Sequence, residues 1–528
     1  MEWSAASRVL PSKDVEISVE PPPALLEAGG ISPNGGCGGR AIGVELSTDV
    51  VMASVVFRRR FDVHDHHHPL IRDPLVLVAS PIPRGTRHES QLAVVEQTEV
   101  IAMRDELERE TDVVVVGGGV AGLMTAMTAA QAGSRVTVLE ANELGGRGRT
   151  ADRDGYALNI GPHALYLTGA LRIALVAHGI DPAGGTPPSR SVGLVRNGER
   201  HHATVSALGL ATNPVLKPRS RARALSLFAR LPRMKPAAYV GHSVSDWLGD
   251  EPVDVQQFLS AFIRVSTYTH APDQFDAGAA VAQLQMAFQG VRYIDGGWTR
   301  IIDAMTRRAT GLGATVHDHA IVTSIASDGR RVVVAVDDRE ISASAVVVAT
   351  GGPDVATRLT GAEVAGRDAI TRPIRAASLD IATRHPFPDS FSLGMDRPLY
   401  LSPHAPVAKM APLGRGLVCA MRYIGPDEDT GDPTATRDEL RHLARSAGIG
   451  DEDVLWERAL HQSIVTHGSP TAAGGGTAGR PRHDALGLPG VYIAGDWVGP
   501  TGLLADASAA SGIEAGRSAT RHCASIRV

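Results

Sequence analysis

The sequence predicts an α/β protein in which one parallel-sheet, Rossmann-like domain is interrupted by a mixed α+β domain. Three observations predict it. A valine run, residues 113–116, leads into a glycine-rich turn and a helical segment; a strand-rich block lies at 314–350; and a strand-turn-helix pattern occupies 490–522. Two long stretches of mixed character, about 165–290 and 354–480, separate these pieces, as they do when one domain is assembled from three parts of a chain.

The first piece is "DVVVVGGGVAGLMTAMTAAQAGSRVTVLE", residues 112–140. Its β-branched run suits a buried parallel strand. Gly117 permits a tight turn, Gly119 admits a pyrophosphate close to the backbone, and Gly122 lets the next helix pack on the strand. The helix spans 120–132, and its first residues, Val120 and Ala121, carry free N–H groups and a partial positive charge suited to phosphates. Gly133 closes the helix. A second strand, 135–139, delivers Glu140, 18 positions past Gly122, where a carboxylate can accept hydrogen bonds from an adenosine ribose.

The same stretch contains 22 uncharged residues, Val113–Ser134, enough to cross a bilayer. Five glycines, a glutamine and two threonines dilute it, and no flanking basic or aromatic anchors appear, so the reading is a dinucleotide turn. "GGGTAG" at Gly474, Gly476 and Gly479 repeats the spacing with no buried strand before it, which predicts a flexible loop. No second phosphate turn is visible, so one bound dinucleotide is expected.

Composition bounds the rest. The chain has 528 residues, 43% hydrophobic and 21% charged, with a formal net charge of −5. No basic block supports a nucleic-acid partner. Cys37, Cys419 and Cys523 form no paired or zinc-binding spacing, which points to a reducing, cytoplasmic setting and no structural metal. The start lacks the apolar core and cleavage site of a secretory signal. Residues 1–110 show no sustained period and read as a disordered or non-native extension, with Met103 as an alternative start. Within it His64, His66, His67 and His68 surround Asp65, but adjacent histidines on a loose tail do not hold one ion in fixed geometry.

After Glu140 comes "ANELGGRGRT", residues 141–150. Here the chain resembles the FAD-dependent amine oxidase and phytoene desaturase superfamily, whose members follow the ribose acid with a Gly-Gly-Arg segment; Gly145, Gly146 and Arg147 match it. The resemblance implies that Arg147 contacts the FAD phosphates or the flavin side, for which a guanidinium has suitable donors. Three further segments are similar to family elements in order. "DGYALNIGPHALY" (154–166) corresponds to the return beneath the flavin ring, and the block 313–353 carries Val322 and Ile325, which place backbone near the adenine. "VYIAGDWVGPTGLLADASAASGIEAGR" (491–517) supplies Gly495 and Asp496 toward the ribityl or phosphate part, with a helix pointing its N-terminus at the flavin.

The fold implied is a GR2-type flavoprotein. Its FAD-binding domain is built from 111–165, 291–353 and 481–528, and its substrate domain from 166–290 and 354–480. The expected activity is phytoene-desaturase-like: hydride or electrons leave an apolar small molecule at the flavin N5 edge, or the substrate is isomerised. The alternatives are a flavin amine oxidase releasing hydrogen peroxide, and a flavin-binding partner protein without turnover of its own. Lys409, in a segment read as strand, is the only lysine of the second half that could hold a water at N5. An aromatic amine cage is poorly supported by 4% aromatic residues, although Trp497 could line the flavin face. The loose match of "GDWVGPTGLLADAS" to the desaturase ending puts a carotene substrate in doubt. His163, His404 and His467 read as structural rather than substrate-contacting. An apolar substrate would permit peripheral membrane contact, yet no amphipathic basic helix stands out. No catalytic side chain, electron acceptor or oligomeric state is legible.

Overall fold

The computed structural model describes residues 108–188, 191–387, 391–429 and 431–526. The N-terminal extension up to residue 107, with its histidine cluster, Cys37 and Met103, lies outside the described residues.

The valine run forms strand β1 (Glu110–Val116), the glycine turn leads into helix α1 (Val120–Gln131), and β2 (Val136–Leu139) follows. β1 pairs in parallel with β2 on one side and with the strand Arg339–Val348 on the other. Thr315–His317 extends the sheet beyond β2. The first half of Arg339–Val348 pairs with Val332–Val336, which is followed by the edge strand Val322–Ser327, and its second half pairs with Val491–Ile493. Seven strands from three separate parts of the chain therefore make one sheet.

Both faces of this sheet are covered, which explains a strand without polar alternation. Val113 and Val115 pack under α1, the helix Thr299–Gly311 and the C-terminal helix Leu504–Ile526. Val114 and Val116 pack on the opposite side with Leu359 and Trp497. Each fully buried valine contributes on the order of 2 kcal/mol. The C-terminal helix lies against α1 because glycine removes the obstacle: a Cβ on Gly512 would stand 2.5 Å from the Ala121 carbonyl oxygen. Thr125 fills the remaining space, donating to the Gly512 carbonyl at 3.1 Å.

A second seven-stranded sheet runs in the order 454–466, 374–383, 416–424, 399–405, 392–394, 191–196, 199–204. Helices between residues 207 and 287 cover one face, and Pro433–Ser446 covers the other. Arg458 links this sheet to the hairpin 150–159. It donates to Asp380 at 2.9 Å and to the carbonyls of Leu158 and Asn159.

Of the two glycine-rich stretches, one follows expectation and the other departs from it. The stretch 113–134 forms strand, turn and helix, and among the described residues no helix is long and apolar enough to cross a membrane. The Gly474–Gly479 segment is an ordered turn, not a flexible loop. A Cβ on Gly474 would lie 2.5 Å from Ala369 Cα, and one on Gly479 only 1.6 Å from the Gly474 oxygen. Its glycines serve close packing, and Gly476–Gly479 make only a single 3-10 turn where a phosphate site needs a longer helix.

Candidate active site

A cavity of about 510 Å³ begins at the carboxyl end of β1 and runs to the second sheet. Gly117, Gly119, Val120 and Ala121 line its first part, together with Glu140, Gly145, Gly146 and Arg147. Gly495 and Asp496, from the turn after Val491–Ile493, close the same region. Two residues singled out in the sequence stand apart. Gly122 sits under the turn, where a Cβ would come within 1.8 Å of the Gly117 oxygen. Val322 opens the edge strand Val322–Ser327 and is not part of the wall. The backbone that meets Glu140 comes from His317 and Ala320 instead, each in a 2.8 Å hydrogen bond with it. The V-x-x-I pattern marks Ile325 as core, whereas the approach to Glu140 is made where the chain turns before the strand.

The glycine turn has the shape a phosphate requires. Gly117 has φ +111° and no room for a side chain, with the Ala349 oxygen 2.7 Å from its would-be Cβ. At Gly119 the nearest atom to a Cβ is 3.8 Å away, so a side chain there would project into the cavity and fill the cradle. Glu140 accepts the Gly118 N–H at 2.7 Å and the Asn142 N–H at 3.0 Å, fastening the turn as well as facing the cavity.

Arg147 and Asp496 form the charged centre. Arg147 Nη1 donates to Asp496 Oδ2 at 2.7 Å and to the Val465 carbonyl at 2.8 Å. The His467 backbone N–H donates to Asp496 Oδ2 at 3.2 Å, and its ring Nδ1 lies 3.5 Å from Oδ1. Burial by itself raises the Asp496 carboxyl, but the Arg147 charge and the contacts with His467 outweigh it and hold the group well below the usual carboxylate range.

Farther in, the wall comes from Leu165, Tyr166, Tyr268, Ala376, Ser378 and Met421. Tyr166 donates to the Ser266 carbonyl at 2.6 Å, and Tyr268 caps the helix Val253–Thr267 in the left-handed region at φ +54°. Asp506, in the first turn of the C-terminal helix, also lines the cavity. Its Oδ1 accepts the Leu171 N–H at 2.9 Å, its Oδ2 has no partner, and burial raises the carboxyl to about 6.

Lys409 does not reach this cavity. It follows the strand Leu399–Ala405 in a turn, and its ammonium is solvent-exposed, 3.9 Å from Asp295. Trp497 is in the core beneath the sheet, its indole N–H bonded to the Gly351 carbonyl at 3.1 Å, so it does not line the flavin face. His163 and His467 belong to the wall; His404 is buried behind it against Tyr293.

Tyr166, Tyr268, Asp506 and Arg480 escaped the sequence reading. Arg480, just after the Gly474–Gly479 segment, is buried and staples the turn after Val491–Ile493 through the carbonyls of Asp496 (3.2 Å) and Gly502 (2.9 Å). Two of them carried a signal: Asp506 is an acid in the first turn of a helix within one quoted motif, and Tyr166 ends another.

A polar, elongated ligand fits this wall. Buried polar atoms of Trp298, Ser378 and Asp506 line the cavity without a hydrogen-bond partner in the protein. The family model for flavin-containing amine oxidoreductases matches residues 120–519. The chain belongs to the flavin-containing amine oxidoreductase family. A model for pyridine nucleotide-disulphide oxidoreductases also matches residues 79–153. The protein is an FAD-dependent oxidoreductase, with the Rossmann-like fold expected from its glycine turn.

Among curated relatives, a putrescine oxidase of Kocuria rosea is 39% identical over 111 residues, 21% of this chain and 23% of that protein. A hydroxyneurosporene desaturase of Rhodobacter capsulatus is 42% identical over 74 residues, 14% of this chain and 15% of that protein. The matched segments span about half the length of one curated relative, an uncharacterised protein of Methanothermococcus thermolithotrophicus, and under a quarter of these two. Solved structures share the fold over most of the chain. An oxidoreductase of Methanosarcina mazei aligns with TM-score 0.62 and 18% identity, covering 77% of this chain and all of its own. Cyclohexylamine oxidase of Brevibacterium oxydans aligns with TM-score 0.60 and 17% identity, covering 78% and 99%.

Proposed function

We propose that this flavoprotein is a phytoene-desaturase-like oxidoreductase that removes a hydride from an apolar small molecule bound at the inner end of the cavity. The observation that supports this reading is the inner wall: Leu165, Ala376 and Met421 present apolar surface, and no lysine or arginine stands among them. In the same reading Gly117, Gly119, Val120, Ala121 and Glu140 hold the adenosine and phosphates, and Arg147, Gly495 and Asp496 hold the middle of the cofactor. Bound FAD supplies the hydride acceptor. The chain positions the substrate against it and excludes bulk water, and the neutral hydroxyls of Tyr166 and Tyr268 bound the space.

A second reading rests on those tyrosines. Two hydroxyl-bearing aromatics in the inner wall also suit an amine, and the putrescine and cyclohexylamine oxidases noted above fit it. The experiment is anaerobic mixing of the purified protein with a panel of apolar polyenes and of primary amines, followed by admission of air. Bleaching of the flavin by a polyene supports the first reading. Bleaching by an amine, with hydrogen peroxide formed on adding air, replaces it with the second.

A further inference from the structure

A second pocket, of about 210 Å³, lies beside the helix Val253–Thr267 and shares no lining residue with the flavin cavity. Arg264 lines it. This arginine is 6% exposed, donates one Nη–H to the Gly394 carbonyl at 2.6 Å, and leaves its Nε unpartnered. No carboxylate among the described residues lies in ion-pair contact with it. The acid whose charge reaches it, Asp396, accepts the Asn197 backbone N–H at 2.8 Å instead. A buried guanidinium bonded to one carbonyl is costly unless an anion meets it. Its surroundings are fit to receive one. The Gln257 amide, which also lines the pocket, has an unpartnered oxygen and can turn to offer its NH2. Ser260 and His270 complete the polar rim. Burial, followed by the Arg264 charge, lowers His270 to about 4, so the ring is neutral and able to donate without competing for the anion.

We propose that this pocket is a binding site for a small carboxylate, held by the Arg264 guanidinium and the Gln257 amide. A planar guanidinium matches a carboxylate through two parallel N–H···O bonds. The site stands independently of the substrate reading, because it lies outside the flavin cavity.

The test uses the flavin-loaded protein and 13C-acetate, with binding followed by the broadening of the acetate resonance. The expected result is saturable binding to the wild type, weaker by about tenfold or more in Arg264→Met, the loss of one charge-assisted contact, and partly retained in Arg264→Lys. Absence of saturable binding, or equal binding by wild type and Arg264→Met, overturns the proposal. If Arg264→Met does not fold, Gln257→Leu decides. A lowered acetate affinity with an unchanged flavin spectrum supports the site, and an unchanged affinity rejects it.

Discussion

Arg147 and Asp496 are joined by a 2.7 Å hydrogen bond across 349 positions of sequence, and that bond closes the cavity between the first and last parts of the same sheet. One residue comes from the segment after β2 and the other from the turn after Val491–Ile493. Asp496 is buried and Arg147 is about a third exposed, so the carboxylate depends on the arginine more than the reverse.

That asymmetry predicts a pH dependence. The Asp496 carboxyl is depressed in the folded protein, so its contribution is complete above the unfolded value of roughly 4 and is lost as pH falls toward the folded one. Asp496→Asn should destabilise the protein by about 2 kcal/mol at pH 7, the figure for a broken buried pair reduced for the exposed partner. Thermal melts from pH 7 down to pH 3 should show the gap between variant and wild type closing; a constant gap would contradict this account.

Asp506 predicts the opposite sign. Its folded value, about 6, lies above that of an exposed aspartate, so its stabilisation is present at low pH and lost as pH rises through 6. Asp506→Asn retains an oxygen for the Leu171 N–H and carries no charge. It should leave stability nearly unchanged at pH 4 and raise it at pH 8 by up to about 3 kcal/mol, the cost of ionising a carboxyl that buries more readily as the neutral acid. Melting curves at the two pH values check it, and equal effects at both would refute the assignment.

The turn glycines should separate folding from cofactor binding. Gly119→Val places a side chain in open cavity, so the protein should fold and purify without flavin. Gly122→Ala places a Cβ 1.8 Å from the Gly117 oxygen, so it should lower the melting temperature of the apoprotein itself. Circular dichroism with the visible spectrum distinguishes the two; yellow Gly119→Val protein would sink the phosphate placement.

Glu140→Ala should weaken FAD by about 1–3 kcal/mol, a half-buried hydrogen-bonding site left unpaired. Because Glu140 also accepts the Gly118 and Asn142 N–H groups, Glu140→Gln, which keeps one acceptor oxygen, should recover part of the loss. Fluorescence titration of apoprotein with FAD measures both, and equal affinities for wild type and Glu140→Ala would place the ribose contact elsewhere.

How much of this was legible in the sequence depended on whether the signal was local. β1, the glycine turn, α1, β2 and Glu140 lie within 31 residues, and each restricts the next, so they were read with their order intact. The inner wall was not, because Tyr166, Tyr268 and Met421 are brought together only by the second sheet and its helices. Aromatic content has the same limit. Tyr156, Tyr166, Tyr268, Tyr293, Tyr400 and Tyr423, six of the eight tyrosines, are buried, and a chain-wide percentage cannot show that concentration. Lys409 and Trp497 stand out by residue type alone, but each lies in the turn beyond a strand, and the turn sends one to solvent and the other into the core.

The most direct test of the central claim is the visible absorbance spectrum of the purified protein, followed by release and identification of its cofactor. The cavity and its glycine turn predict two flavin bands and FAD on release. A colourless protein that takes up no added FAD, yet binds a nicotinamide dinucleotide, would contradict the account.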